Sequence, residues 1–147
     1  MGLRVPKDKD QQSVSVDYRG RQYTVVHCDG ALDTFREALK HVKVGKAKSL
    51  TRQMIVQIKR LADGEAMSRD NFPLEGMLPA LSGQRRGRRF RALKKIPIRG
   101  YCWKSDRVPD TWFISHYIYK NKNDLDDRDT EKVSHNWRRI EEDGDER

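Results

Sequence analysis

The chain has 147 residues, the size of one typical domain, with a formal net charge of +9 and a pI near 9.7. Apolar residues make up 35% and charged residues 36%, which supports a small core under a heavily solvated surface and favours a polyanionic partner. No apolar run approaches the roughly 18 residues of a membrane span, and the first residues lack the apolar stretch of a signal peptide, so a cytoplasmic protein with two reduced cysteines, Cys28 and Cys102, is expected.

Residues 1–12 (MGLRVPKDKDQQ) have almost no apolar content and read as a disordered arm; residues 13–147 read as one domain. Val14, Val16 and Tyr18 alternate with polar residues, Arg19-Gly20-Arg21 reads as a turn, and Tyr23 to Val26 is rich in strand formers. A hairpin or bent strand is expected there. After Asp29-Gly30, Leu32, Phe35, Leu39 and Val42 recur at helical spacing, with Gly45 as the stop. Ser49 reads as the N-cap of a second helix whose stripe is Leu50, Met54, Ile58 and Leu61, ending at Gly64. The polar faces of this helical hairpin are basic, with Arg36, Lys40, Lys43, Lys46, Lys48, Arg52, Lys59 and Arg60.

Residues 65–87, with two prolines and three glycines, read as a long connection holding one turn of helix. A short strand is expected over Phe90 to Leu93 and another over Ile96 to Trp103, bent or at an edge because of Pro97. The run Thr111 to Tyr119 (TWFISHYIY) is the most strongly β-favouring segment. It is apolar on both parities, with Phe113, Tyr117 and Tyr119 on one and Ile114 and Ile118 on the other, as befits a central strand. Val133, Trp137 and Ile140 share a face of a final helix that Asp126 or Asp129 could cap. The order of a strand, two helices, a long loop, about three consecutive strands and a helix is an α+β layout: an N-terminal strand and helical hairpin packed on a bent antiparallel sheet, with a C-terminal helix.

The strongest chemical signal is charge. Between Gly76 and Ser105 stand nine Lys or Arg residues and no Asp or Glu: Arg85, Arg86, Arg88, Arg89, Arg91, Lys94, Lys95, Arg99 and Lys104. Guanidinium groups fork onto phosphate oxygens, and the run passes on into strand sequence, so nucleic acid is the expected partner, and RNA before DNA. The alternative is a plain solvated linker. His116 stands in the β-favouring run beside Tyr117 and Tyr119 and ahead of Lys120 and Lys122. Cleavage of RNA by its own 2′-hydroxyl needs a proton acceptor, cations for the charge on a pentavalent phosphorane, and a proton donor for the leaving 5′-oxygen. Imidazole and phenol can move protons, and Lys and Arg can carry the charge without a metal. His27 beside Cys28 lacks further ligands at metal spacing, so no metal and no other cofactor is expected.

Taken together, the element order and one local pattern resemble the RelE/ParE superfamily of toxins from type II toxin–antitoxin modules, in its RelE- and HigB-like branch. The resemblance covers roughly Tyr23 to Glu141. It is carried by IPIRGYCW, with Arg99, by FISHYIYKNKNDL, with His116, Lys120 and Lys122, and by the helical stretch DDRDTEKVSHNWRRIE. It implies a RelE-like fold and an endoribonuclease that cleaves messenger RNA at the ribosome without a metal. Arg99, His116, Tyr119 and Lys120 would then be the catalytic set. Arg85, Arg86, Arg88, Arg89, Arg91, Lys94, Lys95 and Lys122 would hold RNA. A cognate antitoxin would be the protein partner. The chain is longer than most members, and the arm and the GQRRGRRF segment look like additions. Two alternatives stay open: a ParE-like inhibitor of gyrase, and a basic RNA- or DNA-binding module with no catalysis.

Overall fold

A computed structural model describes residues 13–80, 87–120 and 125–147. The expected arm, and the candidate residues Arg85, Arg86 and Lys122, lie outside the described residues. The elements in chain order are β1 (Asp17–Arg19), β2 (Thr24–His27), α1 (Ala31–Leu39), α2 (Val44–Ala62), β3 (Leu74–Met77), β4 (Arg89–Lys95), β5 (Ile98–Lys104), β6 (Thr111–Tyr119) and α3 (Asp127–Glu141). The strands form one sheet in the order β1-β2-β6-β5-β4-β3. The fold class is α+β, with the helical hairpin α1–α2 on one face of the sheet and α3 on the other.

The expected meander is present: β3, β4, β5 and β6 pair antiparallel in turn. The sheet as a whole is mixed, because β2 runs parallel to β6, with Thr24 opposite Thr111 and His27 opposite Ile114. That pairing makes β6 central and explains its apolar character on both parities. Ile96 and Pro97 form the two-residue turn from β4 to β5, through a cis peptide bond, so Pro97 lies outside the strand.

Three boundaries differ from expectation. The second helix starts at Val44, with Lys43 as an extended N-cap residue that makes no side-chain cap bond. Gly45 is thus inside the helix and does not end its predecessor. Ser49 is also internal, where its Oγ accepts a hydrogen bond from Gln53 Nε2. Within residues 65–87 lies β3, a four-residue edge strand with no β-branched side chain. Its sequence, LEGM between prolines, carries little strand propensity; pairing with β4 makes it a strand.

Each face has its own core. On the hairpin side Phe35, Met54, Ile58, Leu93, Ile98, Ile114 and Tyr117 pack together. On the other side Val133, Trp137 and Ile140 of α3 meet Phe90, Tyr101, Trp103 and Phe113. Each of these fully buried side chains contributes about 1.5–3 kcal/mol. Cys28 and Cys102 are free, buried, and divided between the two cores.

Two contacts fix how the helices sit. Gln22 N–H and Tyr23 N–H both donate to the carbonyl of Ala62 at the end of α2. A Cβ on Gly20 would stand 2.3 Å from that carbonyl carbon, so the approach requires glycine. Asp126 caps α3 by accepting from Arg128 N–H at 2.8 Å, and Asp127 and Asp129 complement the dipole in the first turn. Among the described residues, no helix is long and apolar enough to cross a membrane.

Candidate functional site

The site turns on an irregularity in β6. Tyr101 pairs with His116, but Cys102 pairs with Ile114, so Ser115 is an extra residue, a β-bulge. Before it, Phe113 faces α3 and Ile114 faces the helical hairpin. After it, Tyr117 faces the hairpin and Ile118 faces α3. The parity read from sequence, with Phe113 and Tyr117 on one face, therefore breaks at Ser115. The bulge turns both Ser115 and His116 toward α3.

There they join a chain of hydrogen bonds. Arg139 donates to Asn136 Oδ1 through Nε at 3.3 Å and Nη2 at 3.1 Å. Asn136 Nδ2 donates to Ser115 Oγ at 2.9 Å. Ser115 Oγ lies 2.8 Å from His116 Nδ1, and His116 Nε2 lies 2.9 Å from Asp129 Oδ1. Burial lowers the His116 pKa, and the bond to Asp129 opposes the shift, so the ring is neutral near pH 7. The proton assignment consistent with these partners has Ser115 donating its hydroxyl to Nδ1 and Nε2–H donating to the carboxylate. His116 is 1% exposed and so is Ser115, whereas the Asp129 side chain is 16% exposed. A ligand therefore meets this end of the chain at Asp129.

Arg99 lies on the same face, opposite Lys94 on β4 and Ile118 on β6, and two positions along β5 from Tyr101. The Tyr101 ring is 5.3 Å from that of His116. Burial raises the Tyr101 pKa, Asp129 and Glu75 add to the rise, and Arg99 opposes it. Burial also raises the Glu75 pKa, against Arg99, Lys94, Lys120 and Arg89. Arg99, Lys94 and Lys120 thus bear on one partly buried carboxyl at the neighbouring strand. Lys120 is held at the end of β6 by its N–H bond to the carbonyl of Pro97, at 2.6 Å.

Arg99, Lys94 and Lys120 act together on Glu75, and Arg99 shares its sheet face with His116, whereas the cation that acts on His116 itself is Lys132. Tyr119 stands apart: that residue lies on the hairpin face, its ring stacked on His41 at 5.0 Å. The basic residues of β4 and its approach also divide. Arg88 bonds the carbonyl of Lys104 and pairs with Asp106 at 3.2 Å. Arg89 donates twice to the carbonyl of Glu75, at 2.9 and 2.7 Å. Arg91 donates to the carbonyl of Phe72 and lies over its ring, on the face opposite Lys94. Lys95 alternates with Lys94 along β4.

His27 serves packing. Its Nε2 is 2.6 Å from the Tyr117 hydroxyl and its Nδ1 is 3.1 Å from the carbonyl of Val16. Among the described residues, no three His, Cys, Asp or Glu side chains gather as a metal site requires.

Comparison with known proteins adds no relative. No family model, no curated protein and no solved structure matches the chain. The site therefore rests on its own geometry. Sequence reading missed Ser115, Asp129, Asn136, Tyr101 and Glu75 as its members. Asp129 and Asn136 stand seven residues apart, two helical turns, and that spacing is the signal that could have paired them on one face of α3.

Proposed function

We propose that the chain is the toxin of a toxin–antitoxin module: a metal-independent endoribonuclease that cuts messenger RNA at the ribosome and arrests growth. The observation that carries this reading is that Arg99, which acts on Glu75 together with Lys94 and Lys120, shares its sheet face with the hydrogen-bonded His116–Asp129 pair. The element order supports it, since a strand, a helical hairpin, an antiparallel meander and a closing helix are what the resemblance implies.

In this reading the 2′-oxygen attacks the adjacent phosphorus, the bond to the 5′-oxygen breaks, and a 2′,3′-cyclic phosphate remains. Lys94 holds the phosphate, Arg99 offsets the charge of the phosphorane, and the Lys120 ammonium gives a proton to the leaving 5′-oxygen. Asp129 takes the 2′-hydroxyl proton. His116 holds that carboxylate in place from behind and acts as a positioning residue. An acidic antitoxin would cover the same cations.

The test is induction of the chain in bacteria, with growth followed and transcript 5′ ends mapped, beside Lys120→Ala and Asp129→Asn variants. Arrest with cuts in translated transcripts, lost in both variants, is the expected result. The burial of Arg99 and His116, each 1% exposed, favours a second reading, a basic nucleic-acid-binding module without catalysis. Retained RNA with no cuts would move the assignment there. Intact transcripts with gyrase-linked DNA breaks would move it to a gyrase inhibitor.

A further inference from the structure

On the hairpin face, away from the cluster around His116, two cavities of about 360 and 640 Å³ share Met67, Phe72 and Arg91 as a common wall. The first is also lined by Tyr23 and Trp112, the second by Arg69, Leu74 and Arg89. Three aromatic rings follow one another along this trough. Tyr23 and Trp112 meet edge to face at 6.3 Å, and Phe72 and Trp112 at 5.4 Å. Cations border the rings: Arg91 lies 5.0 Å over Phe72, and Lys104 lies 5.1 Å over Tyr23. Among the described lining residues Glu65 is the one carboxylate, against three arginines. Trp112 Nε1 is buried with no hydrogen-bond partner among the described residues.

We infer that this trough binds single-stranded RNA, with a nucleobase against Tyr23, Trp112 and Phe72 and the adjoining phosphates on Arg91, Arg89 and Arg69. Aromatic faces accept any base, and a row of guanidinium groups tracks a phosphate backbone. The choice of RNA rests on the function proposed above; the trough itself rests on residues that the proposed catalysis does not use.

The probe is a fluorescein-labelled ten-nucleotide 2′-O-methyl RNA, which cannot be cleaved by its own 2′-oxygen, so binding is read independently of cleavage. Fluorescence anisotropy would be measured with the unaltered chain, Tyr23→Leu, Arg91→Gln, and Lys59→Gln as a surface control. Each trough variant should bind about ten-fold more weakly, with the Arg91 loss shrinking at high salt and the Tyr23 loss persisting. Photocrosslinking of a 4-thiouridine-labelled 2′-O-methyl version to the unaltered chain should map to Tyr23, Phe72 or Trp112, a readout that does not depend on how the variants fold. Equal affinities with crosslinks elsewhere would overturn the inference and leave the proposed cleavage standing. Protection of these rings by an acidic amphipathic peptide but not by RNA would overturn it in favour of a protein partner.

Discussion

His116 Nε2 lies 2.9 Å from Asp129 Oδ1, a bond that ties the central strand to the first turn of the last helix. Removing the carboxylate in Asp129→Ala leaves a buried ring N–H without its acceptor, at a cost of about 1–3 kcal/mol. Urea unfolding should show that loss. Asp129 also raises the His116 pKa against burial, so an NMR titration of the variant should move the imidazole further down. An unmoved titration would mean that the bond does not persist in solution.

Acid should weaken the fold through His27. Its ring is fully buried, and burial brings its pKa from 6.5 to about 4. As pH falls through 6.5 the unfolded chain takes up a proton that the folded chain refuses until about pH 4. Between those values the unfolded state holds more protons, so the stability present above pH 6.5 drains away on acidification, by a total of about 3 kcal/mol. His116 shifts in the same direction and adds to the loss. Chemical denaturation at pH 7, 5.5 and 4.5 checks this, and His27→Gln should flatten the dependence.

The far end of α3 is fastened by one carboxylate. Glu141 accepts from Trp103 Nε1 at 3.0 Å, Ser105 Oγ at 2.7 Å, and the N–H groups of Asp106 and Arg107, both at 2.8 Å. Glu141→Ala strips four donors of their acceptor and should cost about 3 kcal/mol. Glu141→Gln, which keeps the shape and one acceptor oxygen, should cost less. Thermal melts of the two variants give the ranking, and equal melting temperatures would count against the latch.

Gly100 is where the Tyr117 ring crosses β5. A Cβ there would stand 2.6 Å from Tyr117 Cε1, and the ring is held in place by its hydroxyl bond to His27. Gly100→Ala should therefore cost about 1–3 kcal/mol through overpacking. Pairing it with Tyr117→Leu should recover part of the overpacking penalty, measured as a double-mutant cycle in urea.

The helices were legible because their apolar stripes are long: Leu50, Met54, Ile58 and Leu61 all prove buried, as do Val133, Trp137 and Ile140. The start of α2 was not, because Gly45 and Ser49 imitate a stop and a cap where the helix runs on through both. β3 was hidden because its pairing with β4, and not its own residues, makes it a strand. At the site, the residue types in Arg99, His116 and Lys120 could be read, but their company could not. One unpaired residue, Ser115, resets which side chains share a face, and such a slip leaves no trace in local composition. Tyr119 consequently fell in with His41 and not with His116.

The parallel pairing of β2 with β6 also governs how the chain acquires its shape. Thr24 and Thr111 are partners across more than half of the sequence, so closing that loop is costly and slow compared with forming the helical hairpin. During synthesis α1 and α2 leave the ribosome early, with the apolar face meant for β6 still uncovered. The sheet becomes whole only when residues 111–119 arrive. Until then neither of its two cores is complete, and the second waits further for Val133, Trp137 and Ile140 of α3.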